Sequence, residues 1–93
     1  MFEQSYILTQ DIGLFSCKAA LFHTDGTLIK SNVVHYRPDS NDEGWAWQSP
    51  ELWWKAFCQN CHTLLAGISP ADVKGICLCG QMMGCLPVDR SVK

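Results

Sequence analysis

The residues of the N-terminal part best suited to chemistry are Asp11 and Gly13, within the segment Asp-Ile-Gly-Leu-Phe-Ser-Cys-Lys. The run before them, Tyr6 to Thr9, favours a strand that ends in a tight turn. Glycine lets such a turn approach an anion closely, and amide N–H groups then bind its oxygens. An acid at the strand end can hold Mg²⁺ through water. The pattern fits a phosphate loop, although Asp-x-Gly alone is also a common turn.

Residues 58–62 spell Cys-Gln-Asn-Cys-His, the pattern of c-type haem attachment. Two observations disfavour haem. The N-terminus lacks the basic and apolar regions of an export signal, and Cys61 continues the apolar stripe of a predicted helix. A zinc site made of Cys58, Cys61 and His62 with Cys77 or Cys79 is a second alternative. We expect the strand that holds Cys77 and Cys79 to turn their thiols to opposite faces. Free, reduced and buried cysteines are therefore the preferred interpretation.

The composition predicts one globular domain. The chain has 93 residues, of which 47% are hydrophobic and 17% charged, with a net charge of −2. No basic stripe is present that would bind nucleic acid. The apolar runs are shorter than the roughly 20 residues of a bilayer-spanning helix, so we expect no membrane segment. A cytoplasmic location is the expectation that follows.

Three elements must position the candidate residues. Alternating and β-branched runs predict a three-stranded meander over 6–36, with Asp25-Gly26 as a two-residue hairpin turn. Ser49-Pro50-Glu51 predicts the start of an amphipathic helix over 49–66. Residues 72–88 follow as a buried strand, a glycine-bracketed segment and a further strand. Together they predict an α/β fold with a mixed sheet.

The order of three segments is similar to the N-terminal domain of the FGGY carbohydrate kinases, in particular their xylulokinase-like branch. Segment 11–18 resembles the phosphate loop Asp-x-Gly-Thr-Thr/Ser-Ser/Gly-x-Lys/Arg. Segment 44–54 resembles a pattern that runs from tryptophan through Asp-Pro to Trp-Trp. Segment 80–84, Gly-Gln-Met-Met-Gly, resembles Gly-Gln-Met-His-Gly. The likeness covers nearly the whole chain and implies a partial actin-like, ribonuclease-H-like ATPase domain over 1–93.

The resemblance also implies roles. It assigns Asp11 to Mg²⁺ through water and to the reacting phosphate of ATP, Gly13 to the turn, and Ser16 and Lys18 to the phosphate neighbourhood. It places three residues at the floor of the sugar pocket, namely Gln81, Met82 and Met83. The catalytic base and the adenosine pocket are expected beyond residue 93, so no catalytic residue is assigned within residues 1–93.

This chain departs from the pattern in two places. Leu14 and Phe15 stand where the family has hydroxyl groups, and each lost charge-assisted hydrogen bond weakens phosphate binding by roughly 1.5–3 kcal/mol. Met83 replaces a histidine, and a thioether is a poor acceptor and no donor. The alternative interpretation is that both methionines fill a gap in the core. Trp53 and Trp54 are expected in the core, and Trp45 or Trp47 at the pocket entrance.

The resulting expectation is part of an ATP-dependent carbohydrate kinase, a phosphotransferase to an alcohol group that acts on a pentulose such as xylulose or on a related polyol. We expect the 93 residues alone to be inactive. The alternative is a non-catalytic interaction module with the same half-fold, which would self-associate through its uncovered surfaces. A Cys/His metal protein is the third interpretation.

Overall fold

The computed structural model of the chain describes residues 4–44, 46–80, 86 and 88–91. Its first three strands form the predicted antiparallel meander: β1 Tyr6–Ile12, β2 Ser16–His23 and β3 Leu28–His35. The β2–β3 turn is longer than predicted. The amide of Gly26 donates to the carbonyl of His23 at 2.9 Å, and Gly26 has a φ of 96°. This is a three-residue loop closed by a left-handed glycine, because the ladder resumes only at Thr27.

Helix α1 spans Pro50–Leu64 and begins as its sequence predicts. Ser49 is the N-cap, and its hydroxyl accepts from the amide of Glu51 at 3.3 Å. Pro50 occupies the first turn, where its missing N–H costs nothing. Between β3 and α1 lies a two-stranded ribbon, β4 Asp39–Ser40 with β5 Ala46–Trp47, in a stretch predicted partly as loop.

After α1, a short 3₁₀ turn at Pro70–Asp72 leads into β6, Val73–Gly80. The sheet order is β3-β2-β1-β6, with β6 parallel to β1 and the other pairs antiparallel. Helix α1 is thus a crossover connection within a mixed sheet, which confirms the predicted fold class. Of the helices in the described part of the chain, none is both long and apolar enough to cross a membrane.

The core lies between α1 and one face of the sheet. Its centre is formed by Leu8 of β1, Ala19 and Leu21 of β2 and Leu64 of α1, all buried. Side chains alternate along a strand, so the neighbours of these residues face the other side. The sheet therefore has a face covered by the helix and an open face.

Two burial predictions were wrong. β6 was expected to be buried, but Ile76 is 50% and Leu78 63% exposed because α1 lies mainly over β2 and β3. Trp54, expected in the core, is 65% exposed and stacks on Phe57 with ring centroids 5.3 Å apart. A residue at the edge of a sheet or of a helical stripe has partners on one side only, and apolar character alone does not reveal this.

Candidate functional site

The candidate phosphate loop is the β1–β2 turn. Gly13 donates its amide to the carbonyl of Ser16 at 2.8 Å, which closes the turn. A Cβ on Gly13 would lie 3.1 Å from that same carbonyl oxygen, so a larger residue would have to displace this carbonyl by a few tenths of an ångström. The need for glycine here is one of close approach, since φ of Gly13 is not positive.

Two charged residues lie beside the loop on the open face. Asp11 and Lys18 are directly paired across β1 and β2, and both are exposed. Their neighbours Gln10 and Cys17 point into the core, so alternation turns Asp11 and Lys18 away from α1. The open face therefore presents a carboxylate and an ammonium group side by side next to the turn.

Tyr36 binds three carbonyl groups of the loop. Its hydroxyl oxygen lies 2.6 Å from the carbonyl oxygen of Gly13 and 3.1 Å from that of Ser16, and its amide donates to the carbonyl of Phe15 at 2.9 Å. Burial raises the pKa of Tyr36, and the charges of Cys17 and Asp11 raise it further. The hydroxyl thus remains a donor at neutral pH.

Gln48 holds the tip of the loop. Its Nε2 donates to the carbonyl of Leu14 at 2.7 Å, while its Oε1 accepts from the indole Nε1 of Trp53 at 3.2 Å. Gln48 precedes α1, and Trp53 lies in the first turns of that helix. The tryptophan-rich segment therefore contacts the β1–β2 turn directly through Gln48. Sequence reasoning missed this contact because it treated the tryptophans only as core or pocket-entrance residues.

Leu14 and Phe15 form the exposed tip. Their side chains are 46% and 60% exposed. Within the described ranges, neither backbone amide donates a hydrogen bond to another group. The tip therefore offers two backbone donors where the side chains offer none.

A buried polar network lies beneath the site. Gln10 and Asn60 are fully buried, and Nδ2 of Asn60 donates to Oε1 of Gln10 at 3.1 Å and to the carbonyl of Cys17 at 3.2 Å. Oδ1 of Asn60 accepts from Asn32 at 2.9 Å. Nε2 of Gln10 donates to the carbonyl of Phe57 at 3.1 Å. Every polar atom of this network that is buried has a partner among the described residues, so the network links the helix to the strands that carry the loop.

The five cysteines that the structure describes occupy three environments. Cys17 is buried, Cys58 and Cys61 are half-buried, and Cys77 and Cys79 are exposed. Burial raises the pKa of both Cys17 and Cys61, with hydrogen bonds from Asn60 and Gln10 respectively acting in the opposite direction. The expectation that all are buried was therefore wrong for β6.

The expected orientation of Cys77 and Cys79 was also wrong. Residues two apart in a strand share a face, and these two pair with Thr9 and Asp11 of β1 on the open side. Within the described residues no three Cys, His, Asp or Glu side chains gather into a possible metal site. The predicted sugar-pocket residues, and two of the four residues of the strand predicted after them, lie outside the described residues, at 81–85 and 87.

The meander, the crossover helix and the loop at the end of β1 define part of an actin-like ATPase domain. The chain matches the N-terminal domain of the FGGY family of carbohydrate kinases over residues 6–93, and it belongs to that family.

Several relatives are xylulose kinases. The chain is 27% identical over 86 residues to the xylulose kinase of Staphylococcus xylosus, and this match covers 92% of the chain and 18% of that kinase. It is 31% identical over 83 residues to the xylulose kinase of Klebsiella pneumoniae, covering 89% of this chain and 17% of the relative. The chain therefore spans less than a fifth of the length of the curated relatives it matches.

Solved structures agree on the fold. The xyloylose kinase of Brucella ovis superposes with a TM-score of 0.84 at 26% identity, over 95% of this chain and 19% of that one. The gluconate kinase of Lactobacillus acidophilus superposes with a TM-score of 0.87 at 21% identity, over 96% and 18%. The second likeness concerns the fold alone, because the sequences are only 21% identical.

Proposed function

We propose that this chain supplies the phosphate-binding part of an ATP-dependent sugar kinase whose acceptor is a pentulose such as xylulose, or a related polyol. The observation that carries the proposal is the β1–β2 turn, where Asp11 and Lys18 meet on the open face beside two amides that have no acceptor among the described residues. The names of the curated relatives support the choice of sugar.

The residues present fit Mg·ATP. Mg²⁺ is commonly bound through one or two carboxylates, several waters and substrate phosphates, and Asp11 is an exposed carboxylate at a strand end. Lys18 offers a positive charge and Ser16 a hydroxyl, while the amides of Leu14 and Phe15 offer neutral donors. Bound ATP supplies the γ-phosphoryl group, and these residues hold its charge without taking a proton.

The remaining parts of the reaction are assigned by family likeness. We place Gln81, Met82 and Met83 at the sugar and the carboxylate base outside the 93 residues, with the whole protein in the cytoplasm. These 93 residues should therefore bind Mg·ATP weakly and phosphorylate no pentulose. A positive coupled kinase assay with the purified chain would contradict this division of labour.

Calorimetric titration of Mg·ATP into the chain tests the proposal itself. Binding that is lost in Asp11→Ala and kept in Asp72→Ala, a carboxylate remote from the loop in sequence, supports the site. Absence of heat in the unaltered chain at millimolar Mg·ATP would refute it.

A second candidate function has one observation in its favour. Among the described strands β6 is an edge strand, it exposes Ile76 and Leu78 on the face that carries α1, and an uncovered apolar edge strand is a pairing surface. A non-catalytic interaction module would bind another chain there and bind no nucleotide, so the same titration distinguishes the two functions.

A further inference from the structure

We infer that Tyr36 and Gln48 are positioning residues of the phosphate loop, because they bind its carbonyl groups and thereby aim the amides of Leu14 and Phe15 at an incoming polyphosphate. This inference rests on the proposed function and names residues that the family resemblance does not assign.

All four carbonyl oxygens of residues 13–16 accept a hydrogen bond from the protein. Tyr36 contacts those of Gly13, Phe15 and Ser16, and Gln48 contacts that of Leu14. An exposed turn normally leaves several carbonyls to water, where they would repel a phosphate oxygen. Here each carbonyl is bound by a protein donor, and the amides of Leu14 and Phe15 are left without an acceptor among the described residues.

Because the peptide bond is planar, binding the carbonyl of one residue also fixes the direction of the next residue's amide. A trans peptide unit is planar, so the C=O of one residue and the N–H of the next point in opposite directions. The described chain contains no cis peptide bond. Fixing the carbonyl of Gly13 on Tyr36 therefore aims the amide of Leu14 away from Tyr36. Fixing the carbonyl of Leu14 on Gln48 aims the amide of Phe15 away from Gln48.

The two positioning residues are themselves held. Tyr36 follows β3 and is half-buried, and Oε1 of Gln48 is bound by Trp53 of α1, which orients the amide group so that Nε2 faces the loop. Donors arranged before binding lose little freedom when the anion arrives. The loop can thus bind phosphate through its backbone although its tip carries Leu14 and Phe15.

Two variants remove the positioning contacts with little change in shape. Tyr36→Phe deletes the hydroxyl, and Gln48→Glu replaces the donor by an oxygen that repels the Leu14 carbonyl. Their matched controls are Tyr6→Phe, at the opposite end of β1, and Gln59→Glu, exposed on α1. Leu65→Ala serves as a variant destabilised away from the loop.

The experiment is an NMR titration of the ¹⁵N-labelled chain with Mg·ATP and, separately, with inorganic triphosphate. We expect the Leu14 and Phe15 amides to shift in the unaltered chain. Each positioning variant should weaken the affinity by about threefold to tenfold, the effect of one lost hydrogen bond. Both controls and Leu65→Ala should keep the affinity, whatever their melting temperatures. Equal affinity in all variants would overturn the inference.

Relaxation measurements on the free chain separate this inference from the proposed function. The positioning role predicts greater nanosecond mobility at residues 13–16 in Tyr36→Phe and Gln48→Glu and not in the controls. If no variant binds polyphosphate but the loop loosens in this way, the positioning role stands and the kinase assignment falls. If the loop does not loosen, the positioning role is wrong.

Discussion

Leu14 and Phe15 are the two residues at which this chain departs most from the hydroxyl-rich loop of its family. Both side chains are exposed, so replacing them removes little buried apolar area. We expect Leu14→Thr with Phe15→Thr to tighten Mg·ATP binding about tenfold, since one new donor to a charged oxygen contributes roughly 1.5 kcal/mol. The free energy of unfolding should change by less than about 0.5 kcal/mol per site.

Calorimetric titration beside thermal melts checks both parts of this prediction. Asp11→Ala in the same background should abolish the gain, because the added hydroxyls act on a phosphate held through the metal. Unchanged or undetectable binding together with a lowered melting temperature would instead make Leu14 and Phe15 structural residues and would contradict the phosphate-loop assignment.

Two cysteine thiols and one tyrosine hydroxyl give the chain a predictable response to alkaline pH. Burial raises the pKa of Cys17, Cys61 and Tyr36, so in the folded state these groups keep their protons at pH values where the unfolded chain loses them. The thiols contribute their full stabilisation below the pKa of about 8.5 that they have in the unfolded chain, and stability declines as the pH rises above that value. Tyr36 adds to the decline above the ordinary tyrosine pKa of about 10.

Urea unfolding at pH 7 and pH 9.5 measures this decline. Cys17→Ala should be less stable than the parent at pH 7 and should lose less stability between the two pH values, because one of the buried acids is gone. Equal losses in the two proteins would show that Cys17 does not contribute to the pH dependence.

At the scale of elements, Asn60 joins α1 to the sheet. Its amide supplies donors to Gln10 and to the Cys17 carbonyl and accepts from Asn32. We expect Asn60→Ala to lower the free energy of unfolding by about 2–4 kcal/mol, because it leaves buried partners unsatisfied and opens a cavity. Gln59→Ala, on the exposed side of the same helix, should cost less than about 0.5 kcal/mol.

Chemical denaturation of both variants measures the difference. A similar small effect at the two positions would mean that water enters and replaces the Asn60 amide, and that the network contributes little to the attachment of α1.

Local signals were sufficient to predict the meander and the start of α1. Asp25-Gly26 marked a turn, Ser49-Pro50 marked a helix N-terminus, and glycine after Asp11 marked the end of β1. The buried network was not predictable in this way, because Gln10 and Asn60 are residue types that usually lie at the surface. Their burial depends on each other, across 50 residues of chain.

The exposure of β6 was not predictable for a different reason. Its sequence has the apolar character of a covered strand, and only the topology shows that α1 lies elsewhere. Likewise, the contacts of Tyr36 and Gln48 with the loop join segments far apart in sequence. Periodicity indicates which side of an element is apolar, but it does not indicate what packs there.

At the scale of the whole molecule, the outer edge of β6 predicts self-association of the chain. An exposed edge strand pairs with another strand, here β6 of a second copy, and Ile76 and Leu78 would be covered in that contact. We expect sedimentation velocity to show concentration-dependent dimers. Leu78→Lys should shift the equilibrium towards monomers at least about tenfold, because burying an unpaired charge at the edge is unfavourable.

Leu28→Lys is the matched control, since Leu28 is similarly exposed but begins β3 at the other side of the sheet. If Leu28→Lys lowers association as much as Leu78→Lys, the contact is a general apolar one rather than a pairing of β6.

The strand order also sets the order in which the chain folds. β1, β2 and β3 meet through short turns, whereas β6 reaches β1 only after the crossover helix, and contacts of long sequence separation form last because their loop-closure entropy must be overcome. We expect the same contacts to open first in the native state. Amide hydrogens of β6 should therefore exchange with solvent faster than those between β1 and β2. If they do, each such opening would free one edge of β1 and leave the strand that carries Asp11 at the outside of the sheet until β6 pairs again.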